Sequence, residues 1–288
     1  MPSAWVGLNQ CAQYSLGGGY VSFDQVISGE MGHNEGDEIN HYDGIGGQYA
    51  KCRPGVVPGG NVETLLQDGI LLGGNYAKRS VIELLPDEIG AIQGGLMNVA
   101  GGGKTQTGCY IDSVEISCEV GEPVRVSYTW LALSETGDII APADLCATPI
   151  FCWQTGQLEI DSSEFLCQSF TFTLKNNLRP VFSLDAGVVG SMRCPDAIVP
   201  GIMEVSLSAE VRDESGIDLM ADHPSAVQFH FAAGNGSGRT LVIDTSSSAG
   251  LNPTSAPVRF VGGGDDVTYA IEAEANHNDL NAWGVSVG

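Results

Sequence analysis

Residues that could bind a metal ion are concentrated in one early segment. Segment 30–43 (EMGHNEGDEINHYD) contains His33, Glu35, Asp37, Glu38, His41 and Asp43. Carboxylate oxygens bind Ca²⁺, and histidine together with carboxylates binds Zn²⁺. The segment has neither EF-hand spacing nor an HExxH pair. We therefore interpret it as a solvated acidic loop, with Ca²⁺ binding as the alternative, and we read GGGDD at 262–266 in the same way.

Motifs for nucleotide binding and for nucleophilic catalysis are incomplete or missing in the sequence. Residues 98–105 (NVAGGGKT) approach a phosphate-binding loop, but that motif needs Gly where Asn98 stands and a helix after it. The chain has no GxSxG elbow, and none of its five histidines has a recognisable Ser or Cys partner in the sequence. We therefore expect no enzymatic activity, no catalytic residues and no cofactor.

Alternating residues at 113–131 predict a long antiparallel β-hairpin. The segment reads SVEISCEVGEPVRVSYTWL, and alternate side chains of a strand point to opposite faces. The apolar members of the pattern are Val114, Ile116, Cys118, Val120, Val124, Val126, Tyr128 and Trp130. We expect these residues to form a buried face, with 121–123 as the connecting turn.

The same period recurs later in the chain and predicts an all-β fold with a minor helix. Further strands are predicted at 20–27, 169–175, 181–185, 203–212, 227–231, 241–244, 268–275 and 283–287. A strand or short helix is predicted at 61–66, a turn at 176–177 and a helix at 75–85, and residues 134–164 are interpreted as mostly loop. Many short strands separated by turns indicate packed antiparallel sheets, as in a sandwich or barrel.

The polar positions of four predicted strands share an unusual composition. They are Glu115, Ser117, Glu119, Arg125, Ser127, Thr129, Thr171, Thr173, Glu204, Ser206, Ser208 and Glu210. Polar residues at alternate positions are ordinary on the solvent-facing side of an antiparallel sheet. Here, however, Lys is nearly missing, and Lys is one of the residues that prevents edge strands from pairing with other chains. The composition suggests that the strands pair between subunits.

Charge and composition exclude several classes of protein. The 288 residues include 12 Lys and Arg against 35 Asp and Glu, which gives a formal net charge of −23. Charged residues make up only 16% of the chain, below the usual ~25%, so the chain is short of bases rather than rich in acids. This composition argues against adhesive binding to nucleic acid phosphates, although adaptation to high salt would also give a negative balance.

We also expect neither export nor membrane insertion. Residues 1–20 have no basic start followed by an apolar stretch, and no run of about 18 apolar residues occurs. The eight cysteines form no CxxC pair, so we expect reduced thiols and intracellular synthesis.

The order of these segments resembles that of phage tail tube proteins. The resemblance rests on VPGGNVET, SVEISCEVGEPVRVSYTWLAL, QSFTFTLKNNL, GIMEVSLSAEV and TYAIEAEAN, and covers most of residues 56–288. Residues 1–55 and the segment 134–164 have no recognisable counterpart. The resemblance therefore divides the chain into a Gly-rich N-terminal arm with a first strand, 1–55, and a β-sandwich core, 56–288.

The resemblance implies a structural virion protein. In this family two packed antiparallel sheets have a helix at the side, and six subunits form a ring. Each subunit gives strands to a β-barrel around a channel, and stacked rings conduct DNA during ejection. The implied partners are further copies of the chain, the tape measure, tail terminator and distal tail or baseplate proteins, and passing double-stranded DNA that is not specifically bound.

The resemblance also implies a location and a role for the polar residues. The protein would be made and assembled in the host cytoplasm and reside in the virion tail, with a long flexible siphovirus tail as our expectation. We hypothesise that the twelve polar residues face the channel. The competing interpretations are an acidic β-sandwich adhesin or carbohydrate-binding module and a hydrolase on a β scaffold.

Overall fold

The structure of the chain is a computed structural model that describes part of its length. The described residues are 12–15, 21–22, 25–35, 43–44, 47–48, 55–66, 97–101, 103–137, 150–160, 163–183, 194–201, 204–212, 227–232, 240–244, 251–255, 258–259, 268–275 and 284–287. These residues are almost all in antiparallel β-strands, with one short 3₁₀-helix at Trp153–Thr155 among them. The predicted all-β class is confirmed.

The strands are numbered in chain order. The first ten are β1 (Gln13–Ser15), β2 (Val21–Ser22), β3 (Gln25–Glu35), β4 (Asp43–Gly44), β5 (Gly47–Gln48), β6 (Val56–Leu65), β7 (Met97–Gly101), β8 (Lys104–Glu119), β9 (Arg125–Leu131) and β10 (Ser134–Thr136). The others are β11 (Gly156–Ile160), β12 (Ser163–Lys175), β13 (Arg179–Val181), β14 (Ala197–Val199), β15 (Glu204–Arg212), β16 (Val227–Ala232), β17 (Thr240–Asp244), β18 (Leu251–Ser255), β19 (Val258–Arg259), β20 (Thr268–Ala275) and β21 (Gly284–Val287).

A wide antiparallel sheet, here called the main sheet, forms the centre of the fold. Its strand order is β3-β6-β9-β8-β12-β15-β20, and β18 and β19 both pair with the far side of β20. Neighbours in this order are often distant in sequence, since β6 pairs with β9 and β15 with β20. Hydrophobic alternation therefore has to specify the register across long connections.

Two long strands extend beyond the main sheet and start smaller sheets. The first half of β8 pairs with β7 and β10, and β7 continues to β1 and β2. The start of β12 pairs with β11, which continues to β16, β17 and β21. One apolar cluster contains Tyr14, Val99 and Leu158 from the smaller sheets together with the inner face of the main sheet. The smaller sheets therefore cover that face.

The predicted hairpin is confirmed, with a longer first strand and a different turn. Val114, Ile116, Val126 and Tyr128 are fully buried, and β8 begins nine residues before the predicted start at Ser113. The prediction is wrong for Val120, which is 55% exposed. The chain leaves the ladder after Glu119, and Gly121 takes a positive φ of 95° that only glycine adopts readily.

The prediction of a loop at 30–43 is wrong at its start, because residues 30–35 belong to β3 and pair with β6. Asp43 lies in the short β4–β5 pair, whereas Asp37, Glu38 and His41 lie outside the described residues. Near this segment the strand predicted at 20–27 is divided between β2 and β3, which belong to different sheets.

Segment 134–164 is also less irregular than predicted. It contains β10, the 3₁₀-helix, β11 and the start of β12, while residues 138–149 lie outside the described part. Strands β10 and β11 are short and pair with β8 and β16, which are distant in sequence. The segment alone therefore shows little alternation of apolar and polar residues. The helix predicted at 75–85 also lies outside the described residues.

After β12 the chain shows the left-handed Asn expected for the turn predicted at 176–177, but no strand returns directly alongside β12. Asn177 has a φ of 49°, the left-handed conformation that Asn tolerates. Of the strand predicted at 181–185, Val181 is the last residue of β13, which pairs with β14 as a separate ribbon, Phe182 and Ser183 lie outside any strand, and residues 184–185 lie outside the described part of the chain. The neighbour of β12 is β15 instead, which extends its hydrophobic pattern over nine residues.

Candidate functional site: the polar face of the main sheet

The twelve polar residues singled out in the sequence all lie on one side of the main sheet. They occupy β8 (Glu115, Ser117, Glu119), β9 (Arg125, Ser127, Thr129), β12 (Thr171, Thr173) and β15 (Glu204, Ser206, Ser208, Glu210). Each is exposed or half-buried, whereas the residues that alternate with them are buried in the core. We call this surface the polar face.

Strand register aligns these residues in rows that cross the sheet. The central row runs Ser28, Glu63, Ser127, Glu115, Thr173, Ser206, Glu274. The next row runs Arg125, Ser117, Thr171, Ser208, Glu272. Directly opposed residues in neighbouring strands are about 4.5–5.5 Å apart, so hydroxyls and carboxylates are close neighbours from Ser28 to Ser206 in the central row, and hydroxyls follow Arg125 in the next row.

The structure adds residues to the polar face that the sequence pattern missed. A third row runs Glu30, Asn61, Thr129, Ser113, Lys175, Glu204. Asn61 and Glu63 were missed because β6 contains Gly59 and Gly60, which interrupt its alternation. A Cβ at Gly60 would lie 2.6 Å from Cζ2 of Trp130, so a side chain has no room there.

The charge of Arg125 is balanced by two carboxylates. Its guanidinium donates hydrogen bonds to Glu63 Oε1 at 3.0 Å and to Glu122 Oε2 at 3.1 Å. These hydrogen bonds raise the pKa of Arg125 above its ordinary value. The rest of the face presents exposed Glu115, Glu119 and Glu204, so its unbalanced charge is mainly negative.

Buried polar contacts hold the sheets that support the face. The Gln106 side chain, which is fully buried, accepts a 2.7 Å hydrogen bond from Trp130 Nε1. Its amide nitrogen donates to Gly32 O, Gly59 O and Glu135 Oε2. One residue of β8 therefore contacts β3, β6, β9 and β10.

The described residues contain no cluster of metal-binding side chains, and their most deeply buried cysteines are protonated. No group of three or more His, Cys, Asp or Glu among them could hold a metal ion. Burial raises the pKa of Cys109 and Cys167 to about 12 and that of Cys118 to about 11, so these residues are thiols at neutral pH. Strand β7 (97–101) pairs with the start of β8 (104–109), whereas a phosphate-binding loop would need a helix after it.

A family model for the phage tail tube protein matches residues 56–275. The match covers well over half of the chain, and its limits coincide with the first residue of β6 and the last residue of β20. The chain belongs to the phage tail tube protein family. No curated protein matches the chain.

Membership of the family decides the broad role of the chain. Phage tail tube proteins are structural and non-enzymatic, so the predictions of a structural virion protein without enzymatic activity are confirmed. The chain assembles into a tail tube and resides in the virion tail. In the described part, no helix is long and apolar enough to cross a membrane.

Proposed function

We propose that the chain forms hexameric rings that stack into the tail tube, with the polar face turned towards the channel that conducts DNA during ejection. The observation that carries this proposal is the arrangement of the main sheet. One side is a continuous apolar core, and the other presents rows of polar residues, most of them with hydroxyl or carboxylate side chains. A sheet with this division fits a wall with packed protein behind it and water in front of it.

The charge of the polar face fits a conduit better than a binding site. A channel lined with Lys or Arg would retain DNA, because each neutralised phosphate releases counterions. The Glu side chains of the polar face repel phosphate, and Arg125 is held between two carboxylates. DNA would therefore slide past this surface without specific binding.

The edge of the main sheet supports lateral pairing between subunits. Strand β3 has eleven residues and contains no Lys, Arg or Pro. Among the described strands only β6 pairs with it, so its other side has no partner strand within the described part of the chain. A long edge without Lys or Pro can serve as a template for another chain. Pairing with the far edge of a neighbour would continue the rows and close a barrel.

The remaining partners follow from the place of a tube in the tail. The ends of the stack would meet tail terminator and distal tail or baseplate proteins, and the channel would hold the tape measure protein before DNA enters. Synthesis and assembly would take place in the host cytoplasm, and a long non-contractile siphovirus tail is the form that we propose.

Electron microscopy of the purified protein, combined with sedimentation, tests the proposed assembly. We expect six-fold rings or tubes with an open channel. Monodisperse monomers at all concentrations would contradict it and would favour the adhesin, carbohydrate-binding or hydrolase interpretations, for which no observation in the described residues speaks.

A further inference from the structure

Exposed apolar side chains are unevenly distributed over the described residues. Seven large hydrophobic residues are exposed there: Ile27, Val120, Trp153, Leu166, Val181, Phe182 and Val199. Six of the seven form two groups of three. Clustered apolar exposure of this kind marks a contact surface, whereas single exposed residues need no explanation.

The first group lies in a groove at one end of the main sheet. Val120, Trp153 and Leu166 line it with the partly or fully buried Leu158, Phe165 and Phe170, and its volume is about 380 Å³. The wall is fixed by backbone hydrogen bonds from Val120 N to Gln168 O and from Trp153 N to Glu122 O. We call this concave surface the end groove, and exposed Glu119 lies on its lining.

The second group lies on the ribbon formed by β13 and β14. Register places Val181 opposite Ala197 and Arg179 opposite Val199, and all four residues are exposed, while Ile198 is buried. Phe182 packs against Gly55, where a Cβ would have no room. Asp196 accepts hydrogen bonds from the backbone and hydroxyl of Ser183, which fixes the end of the ribbon.

The two surfaces lie at opposite ends of the same strands. The end groove adjoins the Glu119–Ser169 pair, and the ribbon follows the Ser113–Lys175 pair after the turn at 176–177. Ser169 and Lys175 are six residue steps apart along β12, which corresponds to about 20 Å of strand. The surfaces therefore cannot meet within one chain.

We propose that the β13–β14 ribbon of one copy of this chain docks into the end groove of another, as the contact between successive rings. This inference rests on the proposed tube. Both surfaces have exposed apolar residues, and each also has one charge of each sign, Arg179 and Asp196 on the ribbon and Glu119 and Arg212 on the lining of the groove, so opposite charges can pair across the contact. A second copy fits because two different surfaces at opposite ends make a heterologous contact, which propagates into a filament.

Two charge substitutions test the groove and the ribbon separately. Leu166→Glu alters the groove, and Val199→Glu alters the ribbon. Each new carboxylate stands opposite an arginine in register, Arg212 and Arg179 respectively, so the fold should be retained. Thr136→Glu adds the same charge at an exposed strand position outside both surfaces and serves as the control.

Electron microscopy with sedimentation gives the readout. We expect tubes from the unaltered chain and the control, but single rings from either variant alone. A mixture of rings of the two variants should give pairs of rings and nothing longer, because one intact ribbon meets one intact groove. Tubes of normal length from either variant, or a mixture that stays as single rings, would overturn the inference while leaving the proposed function standing.

A failure of the proposed function can be distinguished from a failure of the ribbon–groove contact. If the unaltered chain forms no rings, that proposal fails, and sedimentation of the single chains still tests whether the ribbon of one copy binds the groove of another. Concentration-dependent association that both variants lose would support the ribbon–groove contact, and its absence would overturn it.

Discussion

At the scale of single residues, Gln106 connects the sheets behind the polar face. Its side-chain oxygen accepts from Trp130 Nε1, and the two hydrogens of its amide nitrogen are shared among three acceptors on β3, β6 and β10. Buried polar groups of this kind contribute little when all are satisfied, but they cost much when one partner is removed. The position of β3 beside β6 therefore depends partly on one amide.

Gln106→Leu tests this role. The substitution keeps the approximate volume but removes the hydrogen bond between Gln106 and Trp130 Nε1 and the donor that serves two backbone carbonyls. We expect a loss of about 2–4 kcal/mol in the free energy of unfolding. Denaturant unfolding of the unassembled chain measures it, with Gln154→Leu, at an exposed glutamine, as the control expected to change stability by less than about 0.5 kcal/mol. Equal stability of the two variants would contradict the role of Gln106.

At the scale of strands, what the sequence predicted follows from how strongly each segment alternates. The hairpin, β12 and β15 were predicted because their apolar residues alternate over seven or more positions. The side of the polar face followed from the same period. Register rows that combine β6, β9 and β8 could not be predicted, since they depend on pairings between distant segments.

Strand β6 shows why some strands and polar residues could not be predicted from the sequence. Its Gly59–Gly60 pair breaks the alternation, yet glycine is required there because β3 and Trp130 approach the backbone closely. The short strands β10, β11 and β14 also escaped prediction, because three to five residues cannot show a clear period and their partners supply the pairing. Tertiary context decides such segments.

Gly60→Ala tests the close packing of β3 on β6. Its Cβ would lie 2.6 Å from Trp130 Cζ2 and closer still to the carbonyl of Glu30. Since a backbone atom cannot give way cheaply, we expect a loss of about 1–3 kcal/mol in unfolding free energy. Gly32→Ala is the matched control, because a Cβ there has no neighbour within 4 Å. A Gly60→Ala chain as stable as the control would show that the strands are less tightly packed than described.

At the scale of the whole molecule, the shortage of basic residues is visible on the polar face, where the unbalanced charge is mainly negative. A chain with 35 acidic and 12 basic residues places Glu in successive rows across its main sheet and holds Arg125 between two carboxylates. In the proposed tube this pattern would repeat in every subunit, so a small effect per residue would be multiplied along the channel.

Glu115→Lys tests the electrostatic part of the proposal. Glu115 is exposed and lies in the central row, away from both ends of the strands. In phage particles we expect tubes of normal length but DNA ejection slowed several-fold at low salt, because lysines bind phosphate, with the rate recovering as salt rises. Glu164→Lys, at an exposed position outside the polar rows, is the control. Normal ejection kinetics at low salt in Glu115→Lys particles would count against electrostatic sliding.

The most direct test of the central claim is a cryo-electron microscopy reconstruction of the assembled tube. Our account predicts that Glu115, Thr171 and Ser206 point into the channel, with the apolar core behind them. A reconstruction in which these three side chains lie on the outside of the tube would contradict it.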